Sequence, residues 1–245
     1  MTDIFLENLS FSYYEKEVVI NIDMDITTSS TGLVGPNGSG KTTILKLIGG
    51  LLENKHGNIR IDNKLINSFT STELAKIFAY VSQDKEYTLG FSVEEVIEMG
   101  RYPYLGTFSL ITKNDQMIID KTVEILGLES LRKCNTEELS SGEKQKVRIA
   151  RALVQEPNYI LLDEPTSNLD LSNKILLLNV LDDITDLGVR LLITSHDLEF
   201  IKQATEQSYM INRGEILVSG PSEEVIVRDN IKKLYGLSVL PEWVA

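Results

Sequence analysis

The chain is 245 residues long, 42% hydrophobic and 24% charged, with a formal net charge of −12. That length accommodates one large core, or a core with a smaller lobe, and the composition is that of an ordinary soluble globular protein. The acidity argues against nucleic acid as a partner and against adsorption to anionic lipid. No apolar run is long enough to cross a bilayer, and the first residues lack the basic and apolar regions of a secretory leader. The single Cys134 excludes an internal disulfide, fits a reducing compartment and reads as a packing residue.

In chain order, Ile4–Phe11 and Val18–Ile26 alternate apolar and polar residues as short strands, with Tyr13 and Tyr14 in the turn between them. An aromatic there suits stacking on a flat base, although packing at a sheet edge is the commoner role. Ser30–Val34 reads as a buried strand, approached through Thr27–Thr31, a hydroxyl-rich run that no sequence argument explains.

Gly35-Pro36-Asn37-Gly38-Ser39-Gly40-Lys41-Thr42 follows and satisfies the pattern of a phosphate-binding loop. Its glycines let successive N–H groups point at an anion, Lys41 brings charge to the outer phosphates and Thr42 a hydroxyl to Mg²⁺. The helix expected over Lys41–Leu52, thinned by Gly49-Gly50, would present its positive end to the same phosphates, with Thr43 in its first turn.

Ile59-Arg60-Ile61 and Leu65-Ile66 flank Asp62-Asn63-Lys64 as a hairpin, Thr70–Lys76 reads as a short helix, and Ile77–Ser82 as a strand stopping at Gln83. From Asp84 to Gln155 helical signals take over, including a capping box at Ser92-Val93-Glu94-Glu95, a helix stop before Pro103 and a helix over Asn114–Leu126 capped by Gly127. This block reads as a helical lobe inserted into an α/β core, without linker or internal repeat.

Tyr159–Leu162 is a continuous apolar strand ending in Asp163-Glu164. A helix over Ser172–Leu187 leads to the strand Val189–Thr194, which ends at Ser195-His196. A hairpin of Tyr209–Ile211 and Glu215–Val218, a helix over Ser222–Tyr235 and a tail with a packing Trp243 complete the chain. Alternating strands and helices predict a parallel sheet whose carboxyl edge carries the phosphate loop, Asp163, Glu164 and His196 together.

Leu139-Ser140-Ser141-Gly142-Glu143 resembles the signature of the ATP-binding-cassette (ABC) ATPases, usually Leu-Ser-Gly-Gly-Gln. The likeness continues through Arg148–Leu153 and Ile160–Asp170, and with the phosphate loop, Gln83 and His196 it covers nearly the whole chain in the family's order. The resemblance implies an α/β P-loop NTPase fold, with a RecA-like parallel sheet, an N-terminal antiparallel β subdomain and an inserted helical lobe. It implies one ABC ATPase domain over 1–245, with 1–83 and 156–245 as core and 84–155 as the helical subdomain.

It also implies roles. Tyr13, with Tyr14 as the alternative, would stack on adenine. Gly35 through Thr43 would hold the phosphates, and Thr42, Gln83 and Asp163 would hold Mg²⁺. Glu164 would polarise the attacking water, with Lys41, Gln83 and His196 completing the catalytic set. Ser140, Gly142 and Asp170 would serve an ATP held by a second copy, so the chain is expected to work as a homodimer.

Simpler readings remain beside these: the acidic pair or Asp170 capping a helix, Gln83 as a polar strand end, and Ser140–Glu143 as an ordinary helix start. Ser141 stands where the family has a second glycine, which would matter if the backbone there needs positive φ. Glu143 replaces glutamine and keeps the capping box.

Phe91–Val96 with Met99-Gly100-Arg101-Tyr102-Pro103-Tyr104 resembles the ATPases of iron–siderophore, haem and vitamin B12 importers. That resemblance implies a multi-span permease, an extracytoplasmic substrate-binding protein and a place on the cytoplasmic face of the membrane. The alternatives are another metal importer, a soluble cassette outside transport, and a nucleotide-gated binding module without catalysis.

Overall fold

The computed structural model describes residues 2–83, 90–106, 110–167 and 169–241. Among these residues ten strands form two sheets. β1 (Ile4–Tyr13), β2 (Lys16–Ile26), β4 (His56–Ile61) and β5 (Lys64–Leu65) make an antiparallel sheet in the order β2-β1-β4-β5. The other sheet contains β3 (Ser30–Val34), β6 (Phe78–Val81), β7 (Tyr159–Asp163), β8 (Arg190–Ser195), β9 (Gln207–Asn212) and β10 (Glu215–Pro221), in the order β10-β9-β3-β8-β7-β6. It is parallel except for β10, which returns antiparallel along β9.

The inner strands are buried on both faces, and alternate residues serve two different cores. Leu33, Leu161, Leu192 and Ile211 pack toward the antiparallel sheet and α1 (Lys41–Ile48). Val34, Ile160, Leu162, Ile193 and Met210 pack toward the remaining helices. Those helices are α3 (Val93–Glu98), α4 (Lys113–Ile125) and α5 (Ser141–Leu153) between β6 and β7, then α6 (Leu171–Asp186), α7 (Leu198–Ala204), α8 (Ser222–Val225) and α9 (Arg228–Tyr235). The short α2 (Ser71–Ile77), capped by Thr70 and Glu73, precedes β6.

Between β6 and β7 the polar anchor is Arg101. Its side chain is 3% exposed, pairs with Asp115 at 2.8 Å and with Glu156 at 2.8 Å, and donates to the Val154 carbonyl at 2.6 Å. The guanidinium also lies over the Tyr104 ring. Asp115 caps α4 through Thr112, and the Thr112 hydroxyl, ahead of Arg101, holds its carboxyl below the usual range. Cys134 is partly buried against this core.

Several boundaries differ from expectation. Tyr13 is the last residue of β1 and not a turn residue, whereas Tyr14 turns with φ +54° and is fully exposed. α1 stops at Ile48, capped by Gly49, before the expected Leu52. Ile66 begins a 3-10 turn instead of continuing β5. After α3 the chain runs on as a 3-10 helix over Met99–Tyr104 with Pro103 inside it.

The single terminal helix expected over Ser222–Tyr235 is two, because Ile226 and Val227 adopt non-helical backbone. Three β-branched residues in succession, Val225-Ile226-Val227, favour that break. α7 had no counterpart in the sequence reading. Trp243 lies outside the described residues, as does the start of the expected helical block at Asp84.

The hydroxyl-rich approach to β3 now has an account. Thr28 donates to the Ser30 carbonyl at 3.1 Å, the Ser29 hydroxyl bonds Glu206, and the Ser30 hydroxyl accepts the Glu206 N–H at 3.0 Å. The two bonds to Glu206 fasten the entry of β3 to the entry of β9.

Candidate active site

The carboxyl ends of β3, β6, β7 and β8 lie side by side, which places the phosphate loop, Gln83, Asp163-Glu164 and His196 along one edge. A cleft of about 320 Å³ opens there, lined by Val18, residues 37 to 43, Gln83 and Glu164.

The loop is built for close backbone approach. Gly40 has φ +108°, and a Cβ on it would sit 2.6 Å from the Val18 carbonyl oxygen. Its neighbour Ser39 is buried, and its hydroxyl has no hydrogen-bond partner among the described residues. A buried orphan donor beside a row of loop N–H groups at the start of α1 suits a phosphate oxygen.

Lys41 is buried and bonded three ways, to the Gly35 carbonyl at 2.8 Å, the Pro36 carbonyl at 3.3 Å and Glu164 Oε1 at 3.4 Å. Glu164 Oε2 meets His196 Nδ1 at 2.7 Å and accepts the His196 N–H at 3.3 Å. The imidazole is 55% exposed, so one carboxylate ties the phosphate-loop lysine to a histidine that reaches solvent. Glu164 itself has φ +50°, a conformation costing a non-glycine residue about 1–2 kcal/mol. It persists because its N–H donates to both the carbonyl (3.1 Å) and the hydroxyl (3.0 Å) of Thr194.

Asp163 ends β7. Its Oδ1 accepts from Thr42 at 2.9 Å and Thr194 at 2.7 Å, and its Oδ2 accepts from Tyr80 at 2.8 Å. Thr42 and Asp163 therefore offer adjoining oxygens beside the phosphate loop, the hard donors that Mg²⁺ takes in company with phosphate and water. Among the described residues there is no cluster of three or more His, Cys, Asp or Glu able to hold a metal without such help.

Of the other expected residues, Gln83 lines the cleft and the aromatics do not. Gln83, exposed, donates to the Ser167 hydroxyl at 3.4 Å. Tyr13 is 41% exposed and packs edge-on against Phe11 at 4.9 Å; neither it nor Tyr14 lines the cleft.

The signature also stands apart from the cleft lining. Ser140 caps α5 in a reciprocal capping box, accepting the Glu143 N–H at 3.3 Å while Glu143 accepts its N–H at 2.8 Å and its hydroxyl at 2.7 Å. Ser141 is exposed in the first turn and is absent from the described residues with positive φ, so its Cβ is accommodated. Gly142 packs against α6, where a Cβ would fall 2.1 Å from Asn173 Oδ1. Asp170 caps α6 through the Asn173 N–H at 2.8 Å, the bland role foreseen for it. Asp170 and the signature are thus joined through Asn173.

Sequence reasoning missed Tyr80, Thr194, Val18 and Asn173. Only Thr194 left a trace, as a polar residue closing the apolar run Leu191-Leu192-Ile193.

A parallel sheet with a phosphate loop after one strand, and an acidic pair two strands away, defines a phosphate-loop nucleotide hydrolase. The model of the ABC transporter family matches residues 19–167. An ABC transporter ATP-binding protein of Methanocaldococcus jannaschii, MJ0089, is 36% identical over 97% of this chain and 92% of its own length. The iron(3+)-hydroxamate import ATP-binding protein FhuC of Bacillus subtilis is 30% identical over 96% and 88%, and the manganese transport system ATP-binding protein MntB of Halalkalibacterium halodurans 32% over 94% and 90%.

Among solved structures, the ADP conformation of the cassette MJ1267 superimposes with a TM-score of 0.85 at 23% identity, covering 96% of this chain and 98% of that one. The dimeric cassette MJ0796 gives 0.77 at 26% identity over 89% and 98%. The chain belongs to the ABC transporter family. Within it, this is the ATP-binding subunit, an ATPase that powers transport.

Proposed function

We propose that the chain binds Mg·ATP at the strand edge, closes as a homodimer around two nucleotides and drives an importer of iron–siderophore, haem or cobalamin type. The observation that carries the catalytic part is the convergence of Lys41, Asp163, Glu164 and His196 on one edge, with Ser39 left free for a phosphate. Residues 35 to 43 cradle the phosphates. Thr42 and Asp163, with Gln83, hold Mg²⁺, which when bound neutralises phosphate charge in the loose transition state.

Lys41 exchanges Glu164 for phosphate oxygens. Glu164, released, orients and takes a proton from the attacking water, and His196 turns to the γ-phosphate. Tyr13 reaches adenine by moving from its contact with Phe11. The whole chain works as one ABC domain, with residues 84–155 as a helical subdomain against the remaining core.

Ser140 and Gly142, at the positive end of α5, and Asp170 complete the site of a second copy. The dimeric cassette among the structural relatives supports this arrangement. A multi-span permease holds the dimer at the cytoplasmic face of the membrane and receives substrate from an extracytoplasmic binding protein. No helix among the described residues is long and apolar enough to cross a membrane, which is consistent with a separate permease.

Glu164→Gln tests the assignment: phosphate release falls about 10²–10⁴-fold, and ATP then holds the dimer together in gel filtration. Near-normal hydrolysis removes Glu164 from its role. Copurification from native membranes tests the transport reading, because a soluble or nucleic-acid partner in place of a permease would sink it.

The manganese relative favours a second reading, an importer of free metal ions. Uptake by cells lacking the chain separates the two: loss of iron-chelate uptake supports the first, and loss of manganese uptake the second.

A further inference from the structure

We propose that Tyr80 and Thr194 are positioning residues that grip Asp163 from the two strands flanking it and fix its geometry toward the metal. The proposal rests on the reading of Asp163 as a metal-holding carboxylate.

In the sheet, β7 lies between β8 and β6. Thr194 of β8 stands directly opposite Asp163 in the strand register, and its short hydroxyl reaches Oδ1 at 2.7 Å. Tyr80 of β6 stands opposite Leu161, two residues earlier, and its longer phenol spans that offset to reach Oδ2 at 2.8 Å. Each carboxylate oxygen thus has a donor from a different neighbouring strand.

The third donor, Thr42 at 2.9 Å, is itself a metal-holding hydroxyl. When Thr42 turns to a cation it vacates one lone pair of Oδ1, while the two flanking bonds persist. The carboxylate is then already aimed, and only Thr42 has to move.

Thr194 does a second thing. Its hydroxyl donates to Asp163 and accepts the Glu164 N–H at 3.0 Å, so one side chain sets both the rotation of the metal carboxylate and the direction in which Glu164 leaves the strand at φ +50°. A valine would have the same shape and could do neither. Outer groups of this kind tune metal affinity through ligand orientation.

The test measures Mn²⁺ binding by electron paramagnetic resonance to the full chain saturated with ADP, together with ADP affinity in the absence of metal. Tyr80→Phe and Thr194→Val each weaken Mn²⁺ affinity about tenfold and leave metal-free ADP affinity within about twofold. Thr194→Ser, which keeps the hydroxyl, restores the wild-type value. Should Thr194→Val fail to fold, Tyr80→Phe and Thr194→Ser carry the measurement.

Asp163→Asn separates the two levels. If it abolishes Mn²⁺ binding while Tyr80→Phe and Thr194→Val bind normally, the grip is refuted and the metal reading stands. If Asp163→Asn binds Mn²⁺ as well as the wild type, the metal reading falls and takes this proposal with it.

Discussion

The strand edge and the start of α5 both carry the polar residues of this family, yet they satisfy them in opposite ways. At the edge, Lys41, Asp163 and Glu164 are buried, and the bonds Thr42–Asp163, Thr194–Asp163 and Lys41–Glu164 join residues 31 to 123 positions apart in sequence. At α5, Ser140 and Glu143 close on each other within three residues, and Ser140 is exposed. The edge is preassembled but self-occupied, its lysine and histidine both held by Glu164. The helix start is finished locally and turned outward, and its Ser140 donors are held by the Glu143 carboxylate of the same capping box. Under the proposed function, a nucleotide competes with internal ion pairs at the edge and with a three-residue capping box at the helix start.

Breaking the edge gives the largest effect, the 10²–10⁴-fold loss of hydrolysis expected for Glu164→Gln. Next comes the scaffold that carries the outward site. Arg101→Ala leaves Asp115 buried without its partner and lowers unfolding free energy by about 3–5 kcal/mol in urea titration. The same carboxylate gives a pH signature. Asp115 is depressed in the folded chain, chiefly by Thr112, so its contribution is complete above the unfolded value near 4 and is lost as pH falls through the folded one. The urea midpoint therefore drops more steeply in acid for the wild type than for Asp115→Asn, and equal slopes would remove the Asp115 carboxylate from that role.

Ser140→Ala sharpens the contrast. It costs about 1 kcal/mol of stability through the lost cap, yet lowers hydrolysis without changing the affinity of the monomer for ADP. A change in monomer affinity would place the signature within its own chain's site. The smallest effect belongs to Ser141→Gly. Ser141 is exposed with ordinary backbone, so turnover and stability stay within about twofold and 0.5 kcal/mol.

The two regions also differed in how far they were legible beforehand. Lys41, Asp163, Glu164 and His196 could be read off because phosphate chemistry demands particular side chains at strand ends, and buried parallel strands announce their ends by a switch from apolar to charged residues. Asp170 was legible in two roles, and the structure displays the capping one. α7 escaped because a seven-residue helix depends on burial of Phe200, Ile201 and Ala204 more than on propensity, although Asp197 offered a cap.

The sequence by itself determined the family, the order of elements and the residues that can do chemistry, since each of these depends on residue type and local spacing. Only the tertiary structure decided which groups touch. That Thr194 faces Asp163, that Tyr80 bridges a two-residue offset, and that Gly142 abuts Asn173 follow from strand order, register and helix packing. Periodicity along one segment says which face is buried; it does not say which neighbour lies across from it.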